Sequence, residues 1–137
     1  MLILNHATFA PLFGPSSQAE VPIVAELANP SGKGPPLKLN GQIDRLVETA
    51  DSVMIVDYKT NRPPPTQVSE VAETYLVQLA AYKLALAAIF PGKTVRAALL
   101  WTQTPSLMEI PPQTLDIYCS RLWEFGTQRV DAVGLPT

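Results

Sequence analysis

The chain has 137 residues, 47% of them hydrophobic and 16% charged, with a formal net charge of −2. That length suits one domain with one core, and that composition is globular rather than disordered. Any nucleic-acid surface must be local, since there is no overall basic field; the single Cys119 excludes an intrachain disulfide and a cysteine-ligated cluster and fits a reducing, cytoplasmic setting; and no run approaches the roughly 18 apolar residues of a membrane span.

Residues 1–18 open apolar and pass into Gly14-Pro-Ser-Ser17, which reads as the tail of a helix. Glu20 to Leu27 reads as a first strand, with Pro22 requiring an edge position or a bulge. Asn29 to Pro36 is a Pro/Gly loop. Its Gly32-Lys33-Gly34 lacks the remainder of a phosphate-loop pattern and is read as a turn. Leu37 to Glu48 alternates, putting Leu37, Leu39, Gly41 and Ile43 on one face and Asp44, Leu46 and Glu48 on the other. Thr49 to Ser52 connects it to a strand from Val53 to Lys59, making a hairpin or meander. The unbroken apolar run Val53 to Val56 suits a strand covered on both faces.

Asn61-Arg-Pro-Pro-Pro65 breaks that strand, and Thr66 or Ser69 is placed to cap the helix that follows. Val71, Tyr75, Leu79, Tyr82, Leu86 and Ile89 trace a helical stripe through Phe90, and Pro91-Gly92 ends it. Thr94 to Thr102 is strand-like, Leu107 to Ile110 makes a short fifth strand, and Pro111-Pro112 opens a last helix to about Val133. This order predicts an α/β structure, a mixed β-sheet flanked by helices.

The chemistry concentrates in Gly41-Gln-Ile-Asp-Arg-Leu46 and Ile55-Val-Asp-Tyr-Lys-Thr60. Residues two apart on a strand share a face, so Asp57 and Lys59 emerge side by side, and a hairpin lays Asp44 against them. Two converging carboxylates suit Mg²⁺, with the Tyr58 backbone carbonyl as a further oxygen. The competing reading is a turn aspartate and a surface Asp–Lys pair. It is weakened because Asp57 closes an apolar strand, where an unpaired carboxylate is costly. Gln78 and Tyr82, at i and i+4 on the helix, either hold a nucleotide, a phosphate or the lysine, or fill core. Thr60 and Arg62 are candidate DNA-backbone contacts or an ordinary strand exit. Glu20 and Glu26 are further metal ligands or solvated strand carboxylates. His6, Trp101, Trp123 and Cys119 are read as packing residues.

The ordered set Gly-x-x-Asp at 41–44, Asp-Tyr-Lys-Thr at 57–60 and Gln-x-x-x-Tyr at 78–82 resembles the PD-(D/E)XK nuclease superfamily. More narrowly it resembles RecB-like nuclease domains. Ala19-Glu-Val-Pro-Ile23, Tyr75-Leu-Val-Gln-Leu-Ala-Ala-Tyr82 and Ala97-Ala-Leu-Leu-Trp-Thr102 sharpen the likeness to the C-terminal nuclease region of AddA-type helicase–nuclease subunits. It spans roughly residues 7–125. The resemblance implies a restriction-endonuclease-like core and Mg²⁺-dependent hydrolysis of DNA, with Mn²⁺ as a substitute. Asp44 and Asp57 then match the acidic motif residues, Lys59 the catalytic lysine, and Gln78 with Tyr82 the RecB-like motif.

The implied setting is processing of double-strand ends for recombinational repair. The implied partners are DNA, single-stranded in preference, the helicase portion of a parent chain and a second helicase–nuclease subunit, with no membrane. The family's metal-ligating histidine lies on a helix before the first strand, and His6 is not in such a motif. Residues 1–137 are therefore expected to form a single nuclease-like domain, a C-terminal fragment lacking that helix. The iron–sulfur cluster of some relatives needs four cysteines, so none is expected here. The competing functional readings are a catalytically incomplete module that binds DNA or a partner subunit, and an unrelated α/β domain with a structural Asp–Lys pair.

Overall fold

A computed structural model describes residues 17–60, 64–103, 105–124 and 129–131. Strands β1 (Ser17–Leu27), β2 (Leu37–Glu48) and β3 (Ser52–Lys59) form an antiparallel meander. Helix α1 (Glu73–Ile89) then crosses to β4 (Thr94–Trp101), which lies parallel to β3, and β5 (Ser106–Ile110) pairs antiparallel with β4. Helix α2 (Pro112–Arg121) follows, and a short β6 (Arg129–Asp131) returns to lie parallel to β2. The sheet order is β1-β2-β3-β4-β5, with β6 against β2. This mixed sheet with helices is the α/β core that the element order predicts.

Pro22 lies in β1, at the end of the sheet order, where its missing N–H costs no ladder bond on the open side. The Asn29–Gly34 segment is a turn: the Asn29 side-chain oxygen accepts from the Ser31 amide and hydroxyl, and Gly32 and Gly34 take φ of 72° and 85°, which glycine adopts without a Cβ clash. Helix α1 packs on β1 to β4, and α2 packs on α1. The main core lies between sheet and helices, built from Leu37, Leu39, Ile43, Ile55, Leu79, Leu99 and Trp101 among others. Val47, Val56 and Leu100 form a smaller cluster, with Met54, Tyr58 and Leu107 packed against it. The run Val53 to Val56 thus feeds two clusters, as its unbroken apolarity requires.

Five expectations need correction. Ser17 and Gln18 belong to β1, not to a helix tail; residues 1–16 lie outside the described residues. Leu46 joins the same core as Ile43, because β2 does not hold strict alternation through Asp44. The break falls where Glu20, which the β1–β2 register brings level with Asp44, has a left-handed φ of 54°. Neither Thr66 nor Ser69 caps α1, whose N-cap position is Ala72. The Glu70 carboxylate instead accepts from the Thr66 amide and hydroxyl and the Gln67 amide, closing a 3₁₀ turn, and these bonds lower its pKa. Finally, the last helix stops at Arg121 with a 3₁₀ turn to Glu124, and residues 129–131 are strand. Gly126 in the intervening sequence is a poor helix residue. The stripe on α1 is also incomplete: Ile89 is exposed, whereas Val77, Ala80 and Ala81 are buried, because α2 covers a second side of the helix.

Candidate active site

Strand β2 has two partners along one edge. β3 pairs with Arg45–Glu48 and β6 with Lys38–Asn40, leaving Gly41 to Asp44 where the two neighbours part. Asp44 fills this fork. Its Oδ2 accepts a hydrogen bond of 2.8 Å from the Tyr58 amide, the β3 donor left without a ladder partner. A strand residue points its N–H and C=O to the same edge, so the Tyr58 carbonyl faces the fork as well. Lys59 turns the other way, its carbonyl accepting from the Thr102 amide beyond β4.

Asp57 is only 6% exposed, on the helix side of the sheet. Its Oδ2 lies 2.7 Å from Lys59 Nζ but receives no well-aligned hydrogen bond. Burial pushes its pKa up to about 7; a hydrogen bond with Asp44 adds to the rise, and Lys59 works against it. Ionising Asp57 is therefore expensive in this position unless more positive charge is supplied. A divalent cation held by Asp44 and Asp57 would supply it. The donor set fits a hard divalent ion that keeps waters and takes the rest of its ligands from a substrate phosphate. Among the described residues no group of three or more His, Cys, Asp and Glu side chains is placed to hold a metal.

The raised pKa has a consequence for stability. The folded state holds the Asp57 proton more tightly than the unfolded chain, whose carboxylate titrates near 3.8. The contribution of Asp57 to stability therefore falls as pH rises between about 4 and about 7. In chelator, the wild-type melting temperature is expected to drop by several degrees more than that of Asp57→Asn across this window. Parallel curves would show that Asp57 is not the group responsible.

Gln78 and Tyr82 are 3% and 1% exposed, part of the buried side of α1. Gln78 Nε2 donates to the Tyr82 hydroxyl at 3.4 Å, and that hydroxyl donates to the Gln42 carbonyl at 3.4 Å. The pair thus bears on β2 just before Asp44. Burial pushes the Tyr82 phenol up to about 12, with the charge of Asp57 adding to the rise. The same ring explains Gly41: a Cβ there would collide with the Tyr82 hydroxyl and stand 3.2 Å from its Cε1 and Cζ. Gly41→Ala is expected to cost about 1–3 kcal/mol by overpacking. Urea denaturation checks this, and Tyr82→Phe, which removes the nearest atom, is expected to recover part of the loss.

Thr60 is exposed at the end of β3, and Arg62 lies outside the described residues, as does His6. Glu20 and Glu26 are both exposed on β1. Sequence reasoning passed over two further residues. Tyr75 stacks under Lys59, its ring centroid 4.1 Å from Nζ. Arg45 donates from Nε to the Tyr58 hydroxyl at 2.9 Å and from Nη1 to Ser17 at 2.9 Å. Tyr58 packs with the smaller apolar cluster, opposite the carboxylates. Both residues sit next to a motif position, Arg45 beside Asp44 and Tyr75 three before Gln78, and only that adjacency hinted at them.

The sequence model of the PD-(D/E)XK nuclease superfamily matches residues 7–124. The chain belongs to that superfamily, and its mixed sheet with helices is the restriction-endonuclease-like core. Members of the superfamily are generally nucleases that use Mg²⁺ or Mn²⁺. Among solved structures, one titled "Crystal structure of SSO0001" is similar over 81% of this chain and 51% of that chain, with a TM-score of 0.44 and 14% identity. The present chain thus spans about half the length of that one. No curated protein matches. Among the described residues no helix is long and apolar enough to cross a membrane.

Proposed function

We propose that this chain is the Mg²⁺-dependent deoxyribonuclease domain of a helicase–nuclease of the AddA type, trimming single strands that a helicase delivers from a broken DNA end. The observation that carries the reading is the buried Asp57, ion-paired with Lys59 at the fork where Asp44 reaches across to β3. A surface Asp–Lys pair needs neither the burial nor the second carboxylate. Asp44, Asp57 and the Tyr58 carbonyl are the residues that would hold the metal. Bound there, a divalent ion would supply acidification of a water and an offset to charge growing on the phosphate.

The remaining work falls to the chain itself. Lys59 orients the attacking water or neutralises the pentavalent phosphate, its ammonium already next to Asp57. Gln78 and Tyr82 brace the strand that carries Asp44, through the Gln42 carbonyl. Thr60 and Arg62, which follow the lysine directly, contact the DNA backbone. The domain is proposed as one unit over residues 1–137, acting with the helicase portion of a longer chain and a second subunit in the cytoplasm.

The test is cleavage of end-labelled single-stranded DNA with Mg²⁺ or Mn²⁺, with chelator and Asp57→Ala as controls. Metal-dependent cutting lost in the variant supports the reading. No cutting by a folded chain favours a nuclease-like module that binds DNA or a partner, a role that the net charge of −2 makes harder for DNA than for protein.

A further inference from the structure

We propose that Tyr75 is the positioning residue for Lys59, holding its ammonium group beside Asp57 with the face of its ring; the proposal rests on the nuclease reading of Lys59. Lys59 Nζ stands between two anchors, 2.7 Å from Asp57 Oδ2 and 4.1 Å from the centroid of the Tyr75 ring. A lysine ammonium ends a flexible four-carbon stem, so two strand neighbours alone do not fix it. The ring is itself fixed. It leaves the first turns of α1 and lies 6.4 Å from the Trp101 ring at 48°. Trp101 is 1% exposed and is the register partner of Lys59 across β3 and β4. The ring behind Tyr75 therefore stands on the strand paired with that of the lysine, while Tyr75 itself reaches Lys59 from the helix.

The ring matters most when the ion pair is weakest. An ammonium tied only to Asp57 loses part of that attraction once the carboxylate turns to a divalent cation. The ring face attracts a cation without accepting a proton or competing for a metal. It keeps Lys59 close to the phosphate position when Asp57 is otherwise engaged.

The experiment compares Tyr75→Phe with Tyr75→Leu, each in the wild-type and Lys59→Ala backgrounds. The assay is Mg²⁺-dependent cleavage of 5′-labelled single-stranded DNA, and the Lys59 ε-methylene protons are followed by NMR without metal. Tyr75→Phe keeps the ring and is expected to stay within about twofold of wild type. Tyr75→Leu is expected to lose about fivefold to tenfold in kcat, with KM for DNA and Mg²⁺ affinity unchanged. In the Lys59→Ala background Tyr75→Leu is expected to add nothing. The ε-methylene protons are expected to be shifted upfield by the ring in wild type and Tyr75→Phe, and not in Tyr75→Leu.

Equal losses in Phe and Leu would overturn the proposal, as would a loss that persists without Lys59, or absence of the upfield shift. Should the wild type fail to cut, the NMR comparison decides alone. A shift lost only in Tyr75→Leu would uphold the contact and reject the nuclease reading, while no shift in wild type would reject the contact itself.

Discussion

Asp57→Ala is expected to lower metal-dependent DNA cleavage by about a thousandfold or more while leaving the fold intact. The fold expectation follows from the position of the side chain. Asp57 is 6% exposed, and burial raises its pKa to about 7, so its ionised form is a strain on the folded state rather than a support. Removing it leaves Lys59 without its carboxylate, but Lys59 keeps the ring of Tyr75. In chelator at pH 8 the variant is expected to melt no lower than wild type. Single-turnover cleavage, calorimetric Mg²⁺ titration and a thermal melt together check this. Cleavage that survives the substitution would remove Asp57 from the site, and a collapsed fold would make it structural.

Lys59→Ala is expected to separate metal binding from rate. An ammonium group does not coordinate metal, so both carboxylates remain, and the cleavage rate is expected to fall about a hundredfold or more. The substitution also carries a pH signature. The charge of Lys59 lowers the Asp57 pKa, so removing it moves that pKa above its present value of about 7. Proton and metal compete for the same oxygens. Mg²⁺ affinity in Lys59→Ala is therefore expected to be weaker than wild type at pH 7 and to approach it near pH 9. Titration calorimetry at the two pH values reads this directly. A site lost at both would make Lys59 part of the metal-holding framework.

Much of this arrangement was legible in the residues. The first three strands, α1 and β4 are set off by strong punctuation: a Pro/Gly loop at 29–36, a Pro run at 63–65 and Pro91-Gly92. The nearness of Asp57 and Lys59 followed from strand periodicity, and the burial of Asp57 from the apolar run ahead of it. Periodicity failed where the sheet departs from a regular ladder. The face change at Asp44 falls level with Glu20, a residue on another strand whose left-handed backbone no local pattern reveals. The strand at 129–131 takes its identity from the vacant edge of β2, a long-range effect that a helical-looking sequence does not announce. Tyr75 read as one more member of a core stripe, because its partner is a lysine distant in sequence.

The bond between Arg45 and Tyr58 has a mechanical consequence. These residues directly follow Asp44 and Asp57 in the chain, yet they face away from the carboxylates and are bonded to each other. The chain neighbours of the two acidic residues are thus tied to each other across the back of the sheet, 2.9 Å from Arg45 Nε to the Tyr58 hydroxyl. Parting β2 from β3 at the level of the carboxylates therefore means breaking a side-chain bond on the far face of the sheet as well as the ladder itself.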